Sequence, residues 1–325
     1  MHKKNIAVLM GGYSSEVDIS LLSGKTVMKH LDPDKYEPYA IEVLREGWVC
    51  KLADGTAIPV NKDDFTVMIE DTVISFHCVF NTIHGTPGED GLIQAYLDLV
   101  EVPQTTCGFY QAALTFNKRD CISVLRNFGV KTAVNYFVNK GDVVDVDVII
   151  EKVGLPCFVK ANRAGSSFGV SKVYTKKEFP AALEKSFKED DEAIIESFLD
   201  GTEVSVGVIN LDGEVVALPV TEIVSENDFF DYDAKYLGKS QEITPARITK
   251  EQTKAVQEMA IKVYKVLKLK GITRAEYIFH NGEPHFLEVN TTPGLSPASI
   301  IPQQAKVAGM TLKQLFTGVI ETAIS

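Results

Sequence analysis

The N-terminal part of the chain alternates between short apolar runs and apolar positions at helical spacing. The run 5–10 ends at two glycines and precedes helical spacing over 17–31. A second run, 79–81, precedes a helical face over 92–100. Because a strand, a turn and a helix follow one another twice, we predict an N-terminal α/β unit spanning residues 1–106.

Period-two alternation becomes more frequent in the second half of the chain. Helical and strand-like runs follow one another over 107–200, whereas strand alternation dominates 204–209 and the two runs on either side of Asn281-Gly282. A length of 325 residues favours two or three domains. We therefore predict an α/β fold, α+β overall, in which residues 107–200 and 201–325 form central and C-terminal units.

The segment 225–242 is polar, carries four aromatic residues and has no clear periodicity, which predicts a loop that covers another part of the molecule. Thr249 and Gln252 then have the spacing of a capping box, which predicts a helix that ends near Gly271. A last helix is predicted from about Pro302 onward.

Four polar residues lie in the two predicted strands around the Asn-Gly turn. Arg274 and Glu276 share one face of the first strand, and Glu288 and Asn290 share one face of the second. A two-residue turn would pair Glu276 with Leu287 and place Glu288 on the opposite face. A three-residue loop with a bulge at its glycine pairs Arg274 with Glu288 and brings all four together, and this is the register that we predict.

Such an arrangement brings two carboxylates close to each other. At about 4 Å and an effective dielectric of about 20, their repulsion is about 4 kcal/mol, which a divalent cation would remove. Glu276, Glu288 and Asn290 offer only oxygen ligands, and these suit Mg²⁺ bridged to phosphates rather than zinc or copper. The alternative is a solvated strand face. We predict a magnesium site.

Composition narrows the class of partner. With 33 Lys and Arg against 44 Asp and Glu, the net charge of -11 is opposite to that of a nucleic-acid-binding surface. The five cysteines include no CxxC pair, so neither a disulfide framework nor a zinc site is indicated. No run approaches the roughly 18 apolar residues of a membrane span, and the first run is too short for a signal peptide. We expect a soluble, cytoplasmic enzyme that acts on a small anionic substrate.

Single residues outside the hairpin allow two interpretations each. The small residues in 160–170 fit a phosphate-binding loop or an ordinary turn, and no Walker A sequence is present. Glu196 could lie beside an adenine or in the core. Glu16, at the start of a helix, could bind a ligand or compensate the helix dipole, and the same alternatives apply to Glu89. His84 is more typical of a structural histidine than of a catalyst.

Five motifs, taken in order, closely resemble those of the D-alanine–D-alanine ligase family of the ATP-grasp superfamily. They are Gly11-Gly12 with Glu16, the run HGTPGEDG at 84–91, Lys160 with Gly165-Ser166-Ser167, Lys235-Tyr236, and the run EVNTTPG at 288–294. They span nearly the whole chain. The resemblance implies a three-domain ATP-grasp architecture with a parallel, substrate-binding N-terminal α/β domain, ATP between the central and C-terminal domains, and a homodimer.

The resemblance also implies a role for individual residues. Contacts with ATP would come from Lys118, Lys160, Ser167, Glu196, Glu203 and Lys235, whereas Glu276, Glu288 and Asn290 would hold two Mg²⁺ ions, with Mn²⁺ as an alternative. Residues at the D-alanine substrates would be Glu16, His84, Ser166, Tyr236, Ser299 and Ile300, with Arg274 and the Gly294 N–H at the oxyanion.

The reaction that the resemblance implies has two steps. ATP phosphorylates the carboxylate of the first D-alanine, and the amine of the second attacks the acyl phosphate to give a dipeptide for peptidoglycan synthesis. Phosphoryl transfer depends on positioning and charge neutralisation, and a covering loop would exclude water. Tyr236 implies D-alanine rather than D-lactate as second substrate.

The chain departs from the family's pattern at three positions. Glu276 stands where the family often has Asp, and Ala161 and Ala164 stand where its phosphate loop often has Pro and Glu. A dehydrogenase would require a glycine fingerprint that the chain lacks. A nucleotide-binding module without activity is the remaining alternative, and Arg274 argues against it because charge stabilisation at a reaction centre is its simplest use.

Overall fold

A computed structural model describes residues 3–165, 168–211, 213–225 and 240–325. Within these ranges the chain folds into three β-sheets with helices packed on them. The helices are α1 (Val17–His30), α2 (Leu92–Leu99), α3 (Phe109–Phe116), α4 (Lys118–Asn127), α5 (Val146–Val153), α6 (Phe179–Ser186), α7 (Lys250–Val266), α8 (Ile300–Val307) and α9 (Leu312–Ile324). None of them combines the length and apolarity needed to cross a membrane.

The first sheet, as far as it is described, has seven strands in the order β6-β5-β4-β3-β2-β1-β7. The strands are β1 (Lys4–Gly11), β2 (Tyr36–Leu44), β3 (Gly47–Lys51), β4 (Ala57–Asn61), β5 (Thr66–Ile69), β6 (Thr72–Ile74) and β7 (Cys78–Asn81). Only β2, β1 and β7 are parallel, and the other strands continue the sheet in antiparallel fashion. The expected parallel sheet is therefore confined to the three strands at one end.

The apolar run that predicted the first strand is continuous because β1 is buried on both faces. Ile6 and Val8 pack with Val27 of α1, whereas Ala7 and Leu9 pack with the cluster that contains α2. Burial on both sides is typical of parallel strands. The two glycines that follow have positive φ, 96° at Gly11 and 108° at Gly12, and turn the chain toward α1.

The second sheet is antiparallel and has the order β10-β9-β11-β8 in the described residues. Its strands are β8 (Asn135–Asn139), β9 (Cys157–Ala161), β10 (Ser171–Val173) and β11 (Glu192–Ser197). Residues of β9 alternate between buried and half-buried. Val159 packs with α5 and α6, so that Phe158 and Lys160 lie on the opposite face.

The third sheet has the order β15-β14-β12-β16-β17, with β13 paired to β12, among the described strands. The strands are β12 (Gly201–Leu211), β13 (Glu214–Ala217), β14 (Thr221–Ser225), β15 (Ser240–Ile243), β16 (Thr273–His280) and β17 (Glu283–Asn290). Helix α7 covers one face through Val256, Ala260 and Val263. The opposite face carries Glu203 and Glu276, whose neighbours along their strands are buried under α7.

The predicted capping box of α7 is confirmed, since Thr249 accepts the N–H of Gln252 and the Gln252 side chain accepts the N–H of Thr249. The predicted loop 225–242 extends too far at its end, because residues 240–243 form β15 and pair with β14. Residues 226–239 lie outside the described part of the chain. The sequence analysis therefore missed a strand that continues the third sheet.

The predicted last helix is two helices. Helix α8 ends at Val307 with Ala308 as its C-cap residue, and Gly309 follows with a φ of 75°, a conformation that glycine adopts without strain. Thr311 and Gln314 then form a second capping box that begins α9. This box has the same sequence spacing as the one at α7, so the break was visible in the sequence.

Helix α9 packs on the first sheet although it lies at the other end of the chain. The rings of Phe316 and Phe80 are 5.3 Å apart at their centroids. Tyr36 donates a hydrogen bond to Glu321 at 2.5 Å, and the Lys4 ammonium lies 3.0 Å from the same carboxylate. The core of the first sheet is therefore completed by α9.

Candidate active site

The hairpin between β16 and β17 turns through two residues. Asn281 and Gly282 have φ values of 52° and 80°, as in the type I′ turn that Asn-Gly favours. The predicted three-residue loop is therefore wrong, and so is the predicted pairing of Arg274 with Glu288. Local turn chemistry determined the turn, as the Asn-Gly sequence alone suggests.

A bulge farther along the hairpin nevertheless brings the four polar residues to one face. Leu287 is the extra residue on β17, and beyond it Glu276 pairs with Glu288 and Arg274 pairs with Asn290. One added residue reverses the side of the sheet on which all later residues of that strand lie. The predicted common face is confirmed, but the bulge lies within the strands rather than at the turn.

The carboxylates on this face each have a cation nearby. Arg274 Nη2 donates to Glu276 Oε1 at 2.7 Å, and Lys118 Nζ lies 3.4 Å from Glu288 Oε2. Glu276 is buried, so its charge is poorly screened by water. In the described ranges no three His, Cys, Asp or Glu side chains form a metal cluster, which leaves the two carboxylates with the Asn290 amide as the donor set. These oxygen donors fit Mg²⁺.

A cavity of about 830 Å³ lies between the second and third sheets. Its polar lining includes Lys118, Lys160, Glu196, Glu203, Glu276 and Glu288. The remaining lining is largely apolar, and includes Phe158, Phe168, Leu199, Ile278 and Leu287. This combination of a mostly apolar wall with a few charged groups at one end fits a ligand with a flat apolar part and a charged tail.

Lys160 and Glu196, both predicted to bind ATP, contact each other across neighbouring strands. Lys160 Nζ donates to Glu196 Oε2 at 2.7 Å, and Glu196 is only 4% exposed. Burial acts to lower the pKa of Lys160, but the charge and hydrogen bond of Glu196 outweigh it and the pKa is raised. Lys160 is therefore a permanent cation at this end of the cavity.

Lys118 is the first residue of α4 and holds the loop that follows β9. Its ammonium donates to the carbonyl of Ala164 at 2.8 Å, and the neighbouring Arg119 N–H donates to the Asn162 side chain at 2.8 Å. Asn117 caps the helix by accepting the N–H of Asp120. The loop is thus attached to α4. Ser166 and Ser167, predicted at its tip, lie outside the described residues.

A second cavity, of about 1180 Å³, brings together the residues predicted to bind the substrates. It is lined by Glu16, His84, Gly165, Arg274, Asn290, Gly294, Ser299 and Ile300, and also by Ile19, Leu22, Glu89 and Glu242, to which the sequence analysis gave no role. Glu288 lines both cavities, so they meet at the face formed by the hairpin. Lys235 and Tyr236 lie outside the described ranges.

Two glycines allow close approaches within this cavity. A Cβ at Gly165 would lie 2.7 Å from Glu16 Oε2, so the loop after β9 approaches Glu16 only because residue 165 has no side chain. A Cβ at Gly294 would lie 2.8 Å from Ser299 Oγ. The Ser299 hydroxyl is hydrogen-bonded to Ser296 at 2.8 Å and lies immediately before α8.

His84 joins several segments at the floor of the second cavity. Its Nε2 lies 3.3 Å from Ser23 Oγ, and the same hydroxyl accepts the N–H of Leu295 at 3.1 Å. Burial, followed by the charge of Arg274, lowers the pKa of His84 to about 4. His84 is therefore neutral at pH 7, and its contacts within the protein fit the structural interpretation as well as a substrate contact.

For Glu89 the sequence left two interpretations open, binding of a ligand and compensation of the helix dipole. Its carboxylate accepts the N–H of Gly85 at 2.8 Å and is 8% exposed. Burial, followed by the nearby Glu16, raises the pKa of Glu89 to about 8, although hydrogen bonds from the backbone of Gly85 and Thr292 act in the opposite direction. Glu89 thereby links the loop after β7 to the loop after β17.

Comparison with known proteins agrees with this geometry. The family model for the D-ala D-ala ligase N-terminus matches residues 5–107, and the model for the C-terminus matches residues 124–321. A D-alanine--D-alanine ligase of Christiangramia forsetii is 64% identical, with 99% of each chain covered. The enzyme of that name from Flavobacterium johnsoniae is 58% identical, with 99% of this chain and 100% of the relative covered.

Solved structures with a similar fold are also named as D-alanine ligases. The VanG D-Ala:D-Ser ligase from Enterococcus faecalis has a TM-score of 0.86 at 30% identity, covering 98% of this chain and 99% of that one. The D-alanine--D-alanine ligase from Bacillus anthracis complexed with ATP has a TM-score of 0.80 at 29% identity. The match covers 100% of this chain and 98% of that one. Two matched family models and relatives that are 64% and 58% identical over nearly the whole chain show that the chain belongs to the D-alanine–D-alanine ligase family of ATP-grasp enzymes.

Proposed function

We propose that the protein joins two D-alanine molecules at the expense of ATP, through a D-alanyl phosphate, to give D-alanyl-D-alanine, ADP and phosphate for peptidoglycan synthesis. The names of the relatives support this substrate and reaction. The observation that carries the proposal is the meeting of the two cavities at Glu288. A phosphate group at the end of one cavity would face a carboxylate bound in the other.

ATP would occupy the cavity between the second and third sheets. Lys118 and Lys160 are cations suited to its phosphates, and Glu196 and Glu203 are suited to the adenine amine and the ribose hydroxyls. Apolar residues such as Ile278, which pairs with Glu203 across β16 and β12, would pack against the base. Ser167 and Lys235 stay predicted ATP contacts outside the described residues. The ATP complex of the Bacillus anthracis relative supports this choice of nucleotide.

Glu276, Glu288 and Asn290 would hold Mg²⁺, and two ions are predicted, with Mn²⁺ as an alternative. When bound, the metal neutralises the charge of the phosphates during transfer. Lys118 Nζ, at 3.4 Å from Glu288, and Arg274, bonded to Glu276, compensate the carboxylates on the same face. The residues of the hairpin thereby orient the transferred group toward the second cavity.

The substrates would occupy the cavity around Arg274. Glu16 would pair with the ammonium of the first D-alanine, and Arg274 with the Gly294 N–H would stabilise the negative oxygen that develops on its carbonyl carbon. Ser299 and the N–H of Ile300, at the start of α8, would bind the carboxylate of the second D-alanine. His84 would support the floor of the cavity. The segment that contains Ser166 and Tyr236 would exclude water from the acyl phosphate.

A phosphate-release assay with ATP, Mg²⁺ and each D-amino acid in turn tests the proposal. We expect release with D-alanine and formation of the dipeptide, which chromatography identifies. D-lactate offered as second substrate is expected to give less product than D-alanine at neutral pH. Absence of release with D-alanine would overturn the proposed reaction, and greater product with D-lactate would overturn the proposed second substrate.

Other parts of the proposal rest on composition, on the pattern of predicted elements and, for the homodimer, on family resemblance. We propose a homodimer, a cytoplasmic location without nucleic-acid or membrane partners, and domain limits at 1–106, 107–200 and 201–325. The three sheets occupy 4–81, 135–197 and 201–290, which is compatible with these limits. Exposed apolar residues on α2 and α3, including Leu99 at 84% and Tyr110 at 61% exposure, support a surface of the kind used between subunits.

A further inference from the structure

Glu242 is a carboxylate in the second cavity to which the proposed reaction gives no role. It lies on β15, pairs with Ile223 of β14, and is half-buried. It lines the cavity together with Arg274, Ser299 and Ile300. A charged group at a substrate cavity affects which substrates bind there, whether or not it takes part in the reaction.

The Glu242 carboxylate is attached to the turn that precedes α8. The amide of Gln303 donates to Glu242 Oε2 at 3.1 Å and to the carbonyl of Ala298 at 2.8 Å. Gln303 lies one helical turn after Ser299, on the same side of α8. Glu242 is therefore held beside the group that is proposed to bind the carboxylate of the second D-alanine.

The other charges in the lining have uses elsewhere. Of the ionisable residues described in this cavity, Glu16 is proposed to bind the first substrate, Glu89 accepts a hydrogen bond from the backbone of Gly85, and Glu288 belongs to the proposed metal face. The cation among them, Arg274, is bonded to Glu276. Among the described residues that line the cavity next to α8, Glu242 carries a negative charge.

We propose that Glu242 is a specificity-determining residue that favours a second substrate carrying an ammonium group over a hydroxy acid, which has an uncharged hydroxyl at that position. The inference rests on the proposed function. D-Alanine at neutral pH carries an ammonium adjacent to its carboxylate. With the carboxylate at Ser299 and Ile300, the ammonium would enter the part of the cavity that Glu242 lines. The Glu242 carboxylate would attract it on binding, before it loses the proton that attack on the acyl phosphate requires, whereas the hydroxyl of D-lactate would gain no such attraction.

The test compares D-alanine and D-lactate as second substrates for the wild-type protein and Glu242→Gln at saturating ATP and Mg²⁺. Gln keeps the size of the side chain and can still accept the Gln303 hydrogen bond, so the variant removes the charge and keeps this contact. We expect the KM for the second D-alanine to rise about tenfold, as for loss of one charge-assisted contact, with kcat and the KM for ATP nearly unchanged. The ratio of kcat/KM for D-alanine over D-lactate should fall by the same factor.

Two variants serve as controls. Glu258→Gln removes a charge of the same kind from α7, where the carboxylate is exposed and lies 3.8 Å from Lys254, and should leave the ratio unchanged. Glu242→Asp keeps the charge on a shorter side chain and should retain most of the discrimination.

The outcomes separate the inference from the proposed function. An unchanged ratio in Glu242→Gln, or an equal loss with both acceptors as expected for a structural role, would overturn the inference while wild-type dipeptide formation stands. A wild-type protein that forms no dipeptide would overturn the proposed function and this inference with it.

Discussion

Arg274 combines a contact to a predicted metal ligand with a place in the substrate cavity. Its guanidinium donates to Glu276 at 2.7 Å and it lines the cavity beside Gly294. Because the proposed oxyanion develops during the reaction and not on ATP binding, we expect Arg274→Ala to bind ATP but to lose at least about a hundredfold in kcat. Binding of a fluorescent ATP analogue and dipeptide formation measure the two effects.

Arg247→Ala is the matched control for Arg274. It removes another arginine–glutamate pair, to Glu222 at 2.8 Å, that does not line either of the two cavities. Turnover should be close to that of the wild type. If Arg274→Ala also turned over at the wild-type rate, the role assigned to Arg274 would be wrong.

His84 predicts a dependence of stability on pH. Burial, followed by the charge of Arg274, lowers its pKa from 6.5 to about 4 in the folded protein. Between these values the unfolded chain binds a proton that the folded protein does not, so stability from His84 is complete above about pH 6.5 and is lost as pH falls toward 4. The contribution of His84 to the free energy of unfolding changes by about 3 kcal/mol at most over this range of pH.

Urea denaturation at pH 7.5 and pH 4.5 checks this prediction on the wild type, His84→Gln and His285→Gln. The loss of unfolding free energy on acidification should be smaller in His84→Gln than in the other two, because that variant lacks the titrating ring. His285 is the control because it lies on β17 outside both cavities. Equal losses in all three proteins would contradict the assigned pKa.

The residues of the site were predictable where the chemistry requires a particular side chain at a fixed spacing. The common face of Glu276, Glu288 and Asn290, which we propose as metal ligands, was predicted this way. Ile278 lies on the same strand face as Glu276, so period-two alternation could have identified it. Glu242 could not be found, because it lies in a segment without periodicity and reaches the cavity only through the pairing of β15 with β14.

The hairpin of β16 and β17 shows how one element determines a site. Deleting Leu287 would remove the extra residue and leave a regular ladder in which Glu276 still pairs with Glu288 and Arg274 with Asn290. We therefore expect this variant to keep its affinity for Mn²⁺, measured by electron paramagnetic resonance in the presence of ADP, within about tenfold of the wild type. Deleting Val289 instead would place Glu288 or Asn290 on the face under α7, and the affinity should fall by at least about a hundredfold. Equal affinity in the two deletion variants would show that the register of β17 does not determine metal binding.

Elements with strong local signals were predicted, and those determined by distant contacts were not. The capping box of α7 requires only two residues three positions apart, and it formed as expected. The bulge at Leu287 has no such signal. It arises from the pairing of two strands, each of which must also pack under α7. Strand register is a property of the assembled sheet, which a single segment does not specify.

At the scale of the whole molecule, α9 connects the two ends of the described chain. Phe316 is fully buried against Phe80 and the other apolar residues of the first sheet. We expect Phe316→Ala to lower the free energy of unfolding by about 3–5 kcal/mol, as for other buried aromatic residues. Urea denaturation followed by circular dichroism measures the change.

Phe128→Ala provides the comparison for Phe316. Phe128 follows α4 and is 53% exposed, so its removal should cost less than about 1 kcal/mol. If Phe316→Ala and Phe128→Ala lowered the free energy of unfolding by the same small amount, α9 would not be part of the core of the first sheet.

The packing of α9 also has a consequence during protein synthesis. Lys4 and Glu321, which form an ion pair, are 317 positions apart, so β1, β2 and β7 leave the ribosome long before their partner helix exists. Until then α1 covers only part of the apolar face of Ile6, Val8 and Phe80, and the part that packs against Phe316 stays exposed. The part of the chain that is made first therefore reaches its native core last, and the nascent protein carries a surface that chaperones can bind.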